Sequence, residues 1–139
     1  MKPHVSGITL GVADVSRAKK FYNEGLGWPI LHEQGPWLSF SLGDGSSTLG
    51  VLPMEQLAAD AGVGVTADGN AFRGVTLSYV VTKDDRVAEV LDEAERAGGT
   101  IVKAAERAQW GGCTGYFADP DGYFWKVAAA PGSDPTAAE

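Results

Sequence analysis

An approximate internal repeat is the feature that most restricts the fold of this chain. Residues 7–11 (GITLG) and 74–78 (GVTLS) share a pattern in which apolar residues alternate with small or polar ones. This alternation is typical of a β-strand with one buried face, because successive side chains of a strand point to opposite sides. In both halves the strand is followed by an amphipathic helix and by further strand-like segments. The sequence therefore predicts two βαβββ modules and an α+β fold.

The first module is predicted over residues 1–61. Its opening strand covers residues 5–12, and the following helix takes its N-cap from Asp14 or Ser16. The remaining elements of this module are three strands and a short helix, expected near residues 30–33, 37–42, 48–52 and 54–61.

The second module is predicted over residues 74–130. A linker rich in turn-forming residues, 62–73, precedes it, and a disordered tail, 131–139, follows it. We expect the whole chain to form one structural domain. After its first strand, the second module is expected to contain a helix and three strands, at residues 83–97, 100–103, 116–118 and 123–127.

The last two strands are joined by the sequence Asp119-Pro120-Asp121-Gly122. This sequence suits a type I turn, because proline presets the second position and aspartate at the first position accepts backbone hydrogen bonds. The flanking segments are rich in aromatic and β-branched residues, as paired strands are. The sequence therefore predicts a β-hairpin here.

Composition excludes several classes of function. The formal net charge is −7, which disfavours binding to nucleic acid or to an anionic membrane. No apolar segment is long enough to span a membrane, and no secretory leader is evident. Cys113 is the single cysteine, so no disulfide framework is possible within the chain. We expect a cytoplasmic protein, since a reducing compartment suits a lone thiol.

The hairpin segment GYFADPDGYFWKV, residues 115–127, resembles the last two strands of the vicinal oxygen chelate superfamily. This superfamily includes glyoxalase I, bleomycin-resistance proteins, fosfomycin-resistance enzymes and ring-cleaving dioxygenases. The resemblance extends over roughly residues 5 to 129. It implies that the two modules form a curved, trough-like mixed sheet with helices on the convex side. It also implies a homodimer that binds a small molecule in the trough.

Members of this superfamily commonly hold a metal ion with one ligand from each of four strands. Carried over position by position, the resemblance places these ligands at Gly7, Gly50, Gly74 and Lys126. Glycine offers no side-chain donor, and an ammonium group repels a divalent cation. We therefore expect no catalytic metal and no cofactor.

The candidate ligand-binding residues follow from the alternation of each strand, which separates a helix-facing set from a trough-facing set. Lys126 has two interpretations, since its ammonium group could contact a ligand or pair with a carboxylate at the rim. Trp110 could belong to the pocket or to the core, and the hydroxyl residues could be ordinary strand residues. The trough-facing set comprises Thr9, Trp37, Ser39, Leu52, Thr76, Ser78, Phe124 and Lys126, and Trp110, beside Gly111 and Gly112, is a further candidate for the pocket lining.

Two functions are compatible with this pattern. The first is a metal-free binding protein that sequesters a small aromatic or amphiphilic molecule. The second is a metal-independent lyase or isomerase that uses Lys126 as acid, base or electrophile. Catalysis of the second kind needs a second ionisable group within reach of the lysine, and the sequence predicts none in the trough. The sequence therefore favours binding.

Overall fold

The structure is a computed structural model that describes residues 1–43, 47–65, 72–109, 111–129 and 135–139. The chain divides into two compact units, Met1–Gly69 and Asn70–Glu139. Each unit contains a strand, a helix and three further strands, in that order. The α+β fold with two βαβββ modules, predicted from the internal repeat, is therefore confirmed.

The first module has a four-stranded sheet in the order β1-β4-β3-β2. Strands β1 and β4 are parallel, and the other neighbouring pairs are antiparallel. The helix α1 continues directly into a π-helical segment. The elements are β1 (Gly7–Val12), α1 (Val15–Lys19), the π-helical segment (Lys20–Gly25), β2 (Ile30–Gln34), β3 (Trp37–Leu42), β4 (Ser47–Pro53) and α2 (Met54–Asp60).

The helix α1 begins where the sequence predicts. The side chain of Asp14 accepts hydrogen bonds from the backbone N–H groups of Ser16 and Arg17, so Asp14 is the N-cap. Tyr22, in the π-helical segment, packs against Phe40 of β3 with ring centroids 5.6 Å apart. This contact identifies the sheet face that packs against α1 and its π-helical continuation. The buried side chains of this core are Leu10, Val12, Ala18, Phe21, Tyr22, Leu38, Phe40, Leu49 and Val51.

The second module repeats this arrangement with the sheet order β5-β8-β7-β6. Strands β5 and β8 are parallel, and the other neighbouring pairs are antiparallel. The buried face of α3 consists of Val87, Val90, Leu91 and Ala94, as the sequence predicts. The elements are β5 (Thr76–Val81), α3 (Asp84–Ala97), β6 (Thr100–Arg107), β7 (Cys113–Ala118) and β8 (Phe124–Ala129).

We call the sheet face opposite α1 or α3 the distal face of that module. In β8, Trp125 and Val127 are buried, whereas the alternating residues Phe124 and Lys126 are half-buried. A Cβ atom at Gly115, opposite Val127, would lie 2.6 Å from Leu91 of α3. The row through Val127 therefore lies beneath α3. Phe124 and Lys126 consequently belong to the distal face.

The last residues of the chain contact the outer strand β5. The backbone N–H of Ala138 donates to the carbonyl of Val80 at 2.7 Å, and that of Thr82 donates to the carbonyl of Glu139 at 2.8 Å. The Glu139 carboxylate accepts hydrogen bonds from Tyr79 and Arg86. Burial and then this hydrogen bond raise the pKa of Tyr79 to about 12. The sequence predicts disorder for the tail, whereas residues 135–139 are described and their end is held by these contacts.

The turn between β7 and β8 has the hydrogen bonds expected from its sequence. The N–H of Gly122 donates to the carbonyl of Asp119 at 3.0 Å. The Asp119 carboxylate is buried and accepts from the N–H groups of Asp121 and Tyr123, at 3.0 and 2.8 Å. A further bond, from the N–H of Asp119 to the carbonyl of Tyr123 at 2.9 Å, closes the loop one residue later than a four-residue turn would. Ala118 therefore pairs with Phe124.

The Asp119 carboxylate should therefore stabilise the second module. We expect Asp119→Ala to lower the free energy of unfolding by about 2–3 kcal/mol, because two backbone donors lose a charged acceptor. Asp119→Asn is the matched control, since its side-chain oxygen can accept the same bonds and should lose less. Urea unfolding followed by circular dichroism measures both. Equal stability of the two variants would contradict this role.

Candidate functional site

Lys126 lies in a row of polar residues on the distal face of the second module. Its register partners are Ser78 on β5 and Tyr116 on β7, and Tyr116 in turn pairs with Lys103 on β6. Directly opposed side chains in a sheet have Cβ atoms roughly 5 Å apart. This row therefore brings two ammonium groups and one phenol together on the same surface.

The two lysines of this row differ in their partners. The ammonium group of Lys103 forms an ion pair with Glu106 at 2.8 Å. The hydrogen bond to Glu106 raises the pKa of Lys103, with a smaller contribution in the same direction from Tyr116. Over the described ranges, the ammonium group of Lys126 has neither an ion pair nor a hydrogen bond to the protein. Lys126 is thus the cation of this row whose charge is not neutralised locally.

An aromatic pair lies beside this polar row. Phe124 precedes Lys126 by two residues on β8 and therefore shares its face. Its ring packs against that of Phe72, with centroids 5.7 Å apart. Phe72 remains 62% exposed, so most of its ring surface is accessible. Thr76, opposite Phe124, is also exposed, as is Ser78 in the polar row.

Trp37 determines the character of the distal face of the first module. Three ring atoms of Trp37 stand within 3.0 Å of the position that a Cβ atom at Gly50 would take. The indole ring therefore covers Gly50. Ser39 lies opposite Gly50, is 1% exposed, and its hydroxyl has no hydrogen-bond partner among the described residues. The sequence predicts Ser39 as an accessible polar contact, but the structure buries it.

The other distal residues of this module are less enclosed. Thr9 pairs with Gly50 from the parallel strand β1 and is exposed. Leu52 is half-buried in the neighbouring row, where it pairs with Gly11. Gly11 lies on the distal face two residues after Thr9, but α2 covers it, and a Cβ atom there would lie 2.5 Å from the sulfur of Met54. The helix α2 therefore closes one end of this face.

The four positions that the resemblance assigns to metal ligands do not fit a metal ion. The place of a side chain at Gly50 is filled by Trp37. Gly74 precedes β5 and has φ of 79°, a left-handed conformation that disfavours any residue with a side chain. Gly7 provides no donor, and Lys126 places a positive charge at the fourth position. Across the described residues, no group of three or more His, Cys, Asp or Glu side chains could hold a metal ion.

Cys113 lies at the start of β7 and is half-buried. Burial, followed by the negative charge of Asp84, raises the pKa of its thiol, and the opposing effect of Arg107 is smaller. A raised pKa keeps the thiol protonated near neutral pH, and the thiolate is the reactive form. Cys113 is therefore a poor nucleophile.

A cavity of about 460 Å³ lies outside the distal face, next to the end of the chain. Arg86, which lines it, already forms ion pairs with Glu89, Glu93 and Glu139. Because the lining carboxylates of Asp85, Glu89 and Glu139 outnumber the cations of Lys83 and Arg86, we do not assign an anionic ligand to this cavity.

The structure thus groups the predicted residues into two sets and adds two residues that the sequence analysis missed. Thr76, Ser78, Phe124 and Lys126 share the distal face of the second module. Thr9, Trp37, Ser39 and Leu52 share that of the first. Tyr116 was missed because its face depends on the register of the hairpin, and Phe72 because it falls in the predicted linker. The prediction for Trp110 lies outside the described residues.

None of the helices in the described residues combines the length and the apolar character that are needed to span a bilayer.

Comparison with known proteins identifies relatives of the whole fold. A glyoxalase-related enzyme from Fulvimarina pelagi is 30% identical in sequence, with a TM-score of 0.84 and coverage of 99% of this chain and 100% of that one. A glyoxalase/bleomycin resistance protein/dioxygenase from Nocardioides shares the fold at 18% identity, with a TM-score of 0.79 and coverage of 97% and 89%. Glyoxalase 1 of Caenorhabditis elegans is 29% identical over 100 residues, which is 72% of this chain.

The chain spans about a third of the length of that nematode relative, since the match covers 32% of it. The family model of the Glyoxalase/Bleomycin resistance protein/Dioxygenase superfamily matches residues 4–127, which is most of the chain. The protein therefore belongs to the Glyoxalase/Bleomycin resistance protein/Dioxygenase superfamily.

Proposed function

We propose that this protein binds a small aromatic or amphiphilic molecule without a metal ion, in the manner of a sequestration or resistance protein. The observation that carries the proposal is the replacement of metal donors at the ligand positions of the family. Trp37 fills the space at Gly50, and Lys126 supplies an ammonium group whose charge has no partner in the described residues. Aromatic surface with a few polar groups is typical of small-molecule sites.

The ligand should carry a negative charge or a polarised oxygen. The net charge of −7 favours a cation, but charges on the surface are screened beyond about 8 Å at physiological salt. An ammonium group about 4 Å from a carboxylate interacts by roughly 4 kcal/mol at an effective dielectric near 20, before desolvation. The nearby charge of Lys126 therefore outweighs the distant surface charges. Aromatic carboxylates or neutral oxygenated ring compounds are the ligands expected on this basis.

The alternative is a metal-independent lyase or isomerase that uses Lys126. One observation favours it, namely that Tyr116 lies directly opposite Lys126 and is ionisable. Proton transfer commonly employs two such groups within reach of one substrate. Incubation of the protein with an aromatic ligand, monitored by proton NMR, distinguishes the two functions. A binding protein leaves its ligand unchanged, whereas an enzyme converts it.

The first prediction from this proposal concerns metal content. We expect purified protein to contain far less than one equivalent of Zn, Ni, Mn or Fe, because glycine and lysine occupy the ligand positions. Elemental analysis after extensive dialysis measures this. About one metal ion per chain, lost in the Lys126→Ala variant, would refute the proposal.

The second prediction concerns ligand preference. We expect 2-naphthoate to bind more tightly than a cationic glycopeptide, and Lys126→Glu to weaken naphthoate binding at least tenfold, about 1.4 kcal/mol. The matched control is Lys83→Glu, which makes the same charge change at the start of α3 and leaves the distal face intact. Calorimetric titration measures all three proteins. Equal affinity of the Lys126 variant and the parent would show that Lys126 does not contact the ligand.

We also propose that the protein forms a homodimer. The outer strands β2 and β6 carry the apolar residues Leu31 and Val102, whose fractional exposures are 46% and 47%. Outer strands with exposed apolar residues can pair with another chain, and closed two-fold dimers are the commonest assemblies.

The remaining partner is the small molecule, since the negative net charge disfavours nucleic acid. We also propose a cytoplasmic location, because a reducing compartment suits the single thiol of Cys113.

The third prediction follows from these exposed residues. Light scattering should give twice the 14.5 kDa mass of the chain, and Leu31→Lys combined with Val102→Lys should shift the protein toward that single-chain mass. A parent protein that stays at the single-chain mass at working concentrations would contradict the dimer.

A further inference from the structure

We infer that the second module by itself carries a two-part site for an aryl carboxylate, in which Phe72 and Phe124 hold the ring and Tyr116 and Lys126 hold the carboxylate. The inference rests on the proposed binding function and deepens it, because it assigns the ligand class, the module and two residues, Tyr116 and Phe72. It places the whole ligand on one distal face.

The polar part of the site has two donors with unused hydrogen-bonding capacity. Within the described ranges, neither the Tyr116 hydroxyl nor the Lys126 ammonium group has a hydrogen-bond partner. The two residues are direct cross-strand partners, so their side chains leave the sheet side by side. A carboxylate has two oxygens and can accept one charge-assisted bond from each donor. A neutral ligand would gain less from the same pair.

The neighbouring lysine does not compete for this role. Lys103 lies on the other side of Tyr116, but its ammonium group is engaged by Glu106 at 2.8 Å. Of the two lysines in this row, Lys126 is therefore the one whose charge is available to an anion. Lys103 accordingly offers a matched control, since it has the same charge in the same row.

The aromatic part adjoins the polar part at a distance that suits one small molecule. Phe124 and Lys126 are two residues apart on β8, so their Cα atoms are separated by roughly 6.8 Å along the strand. The Phe72 ring packs against Phe124 and keeps 62% of its surface exposed. An aromatic ring stacked there has its acidic substituent directed along the strand toward Lys126. Offset aromatic contacts of this kind add to the apolar burial.

The first module lacks the complementary charge. None of its strands β1 to β4 contains a lysine or an arginine. Its most prominent aromatic side chain, Trp37, lies over Gly50 and contacts the protein itself. Of its distal hydroxyl residues, Ser39 is buried, and Thr9 is exposed but carries no charge. An anionic ligand therefore has its charged partner on the second module.

The test compares 2-naphthoate with its neutral analogue 2-naphthamide on the full chain by calorimetric titration. We expect Tyr116→Phe to weaken naphthoate binding about tenfold, as for one hydrogen bond to a charged group, and Lys126→Met to weaken it more. Both variants should bind naphthamide within about twofold of the parent. Phe72→Ala should weaken both ligands alike, because it removes ring contact and no charge. Lys103→Met should leave both affinities within about twofold.

The outcomes separate this inference from the proposed function. If the parent binds neither ligand, the binding proposal and this site both fail. If the parent binds naphthoate and the Tyr116, Phe72 and Lys126 variants bind it equally well, the binding function stands and the site is wrong. If Tyr116→Phe weakens the affinity for naphthoate and for naphthamide equally, the assignment of Tyr116 to the carboxylate would also be wrong. Circular dichroism and thermal midpoints matching the parent establish that each variant is folded.

Discussion

The register of the hairpin β7–β8 is the constraint on which the proposed site depends. The Asp119 carboxylate and the carbonyl of Tyr123 close a loop that pairs Ala118 with Phe124, and Tyr116 then lies opposite Lys126. Side chains alternate along a strand, so a shift of one residue would reverse the face of every residue in β8. It would place Lys126 beneath α3. The apolar residues Trp125 and Val127, which are buried there, oppose such a shift.

The same register explains how the helix and the site coexist on one sheet. Gly115 lies opposite Val127, and the absence of a side chain there lets Leu91 of α3 approach the sheet closely. The stacked rings of Phe117 and Trp125, 5.9 Å apart, fill the adjacent row beneath the helix. Burial on this side stabilises the module and leaves the polar row on the opposite face of the sheet. The distal face is therefore separate from the core, and glycine and lysine occupy the positions where the resemblance to the superfamily places metal ligands.

Much of the fold was predictable from the sequence, because alternation and capping signals are local. The helix beginning after Asp14 and the buried stripe of α3 were expected and are confirmed. The site was less predictable. A four-residue turn after Ala118 would place Tyr116 opposite Trp125, and only the longer hydrogen-bonded loop puts it opposite Lys126. The burial of Ser39 likewise depends on packing between strands, which no local pattern specifies.

The most direct test of the account is an NMR titration of the isotopically labelled chain with 2-naphthoate. We predict saturable shifts of the amide resonances on β7 and β8 around Tyr116, Phe124 and Lys126, and small shifts on β1 and β4. This pattern follows because the available positive charge lies on the second module. Shifts centred on Gly50 and Trp37, or no saturable shifts at all, would contradict the claim that this lysine has turned a metal-ligand position into a site for an organic anion.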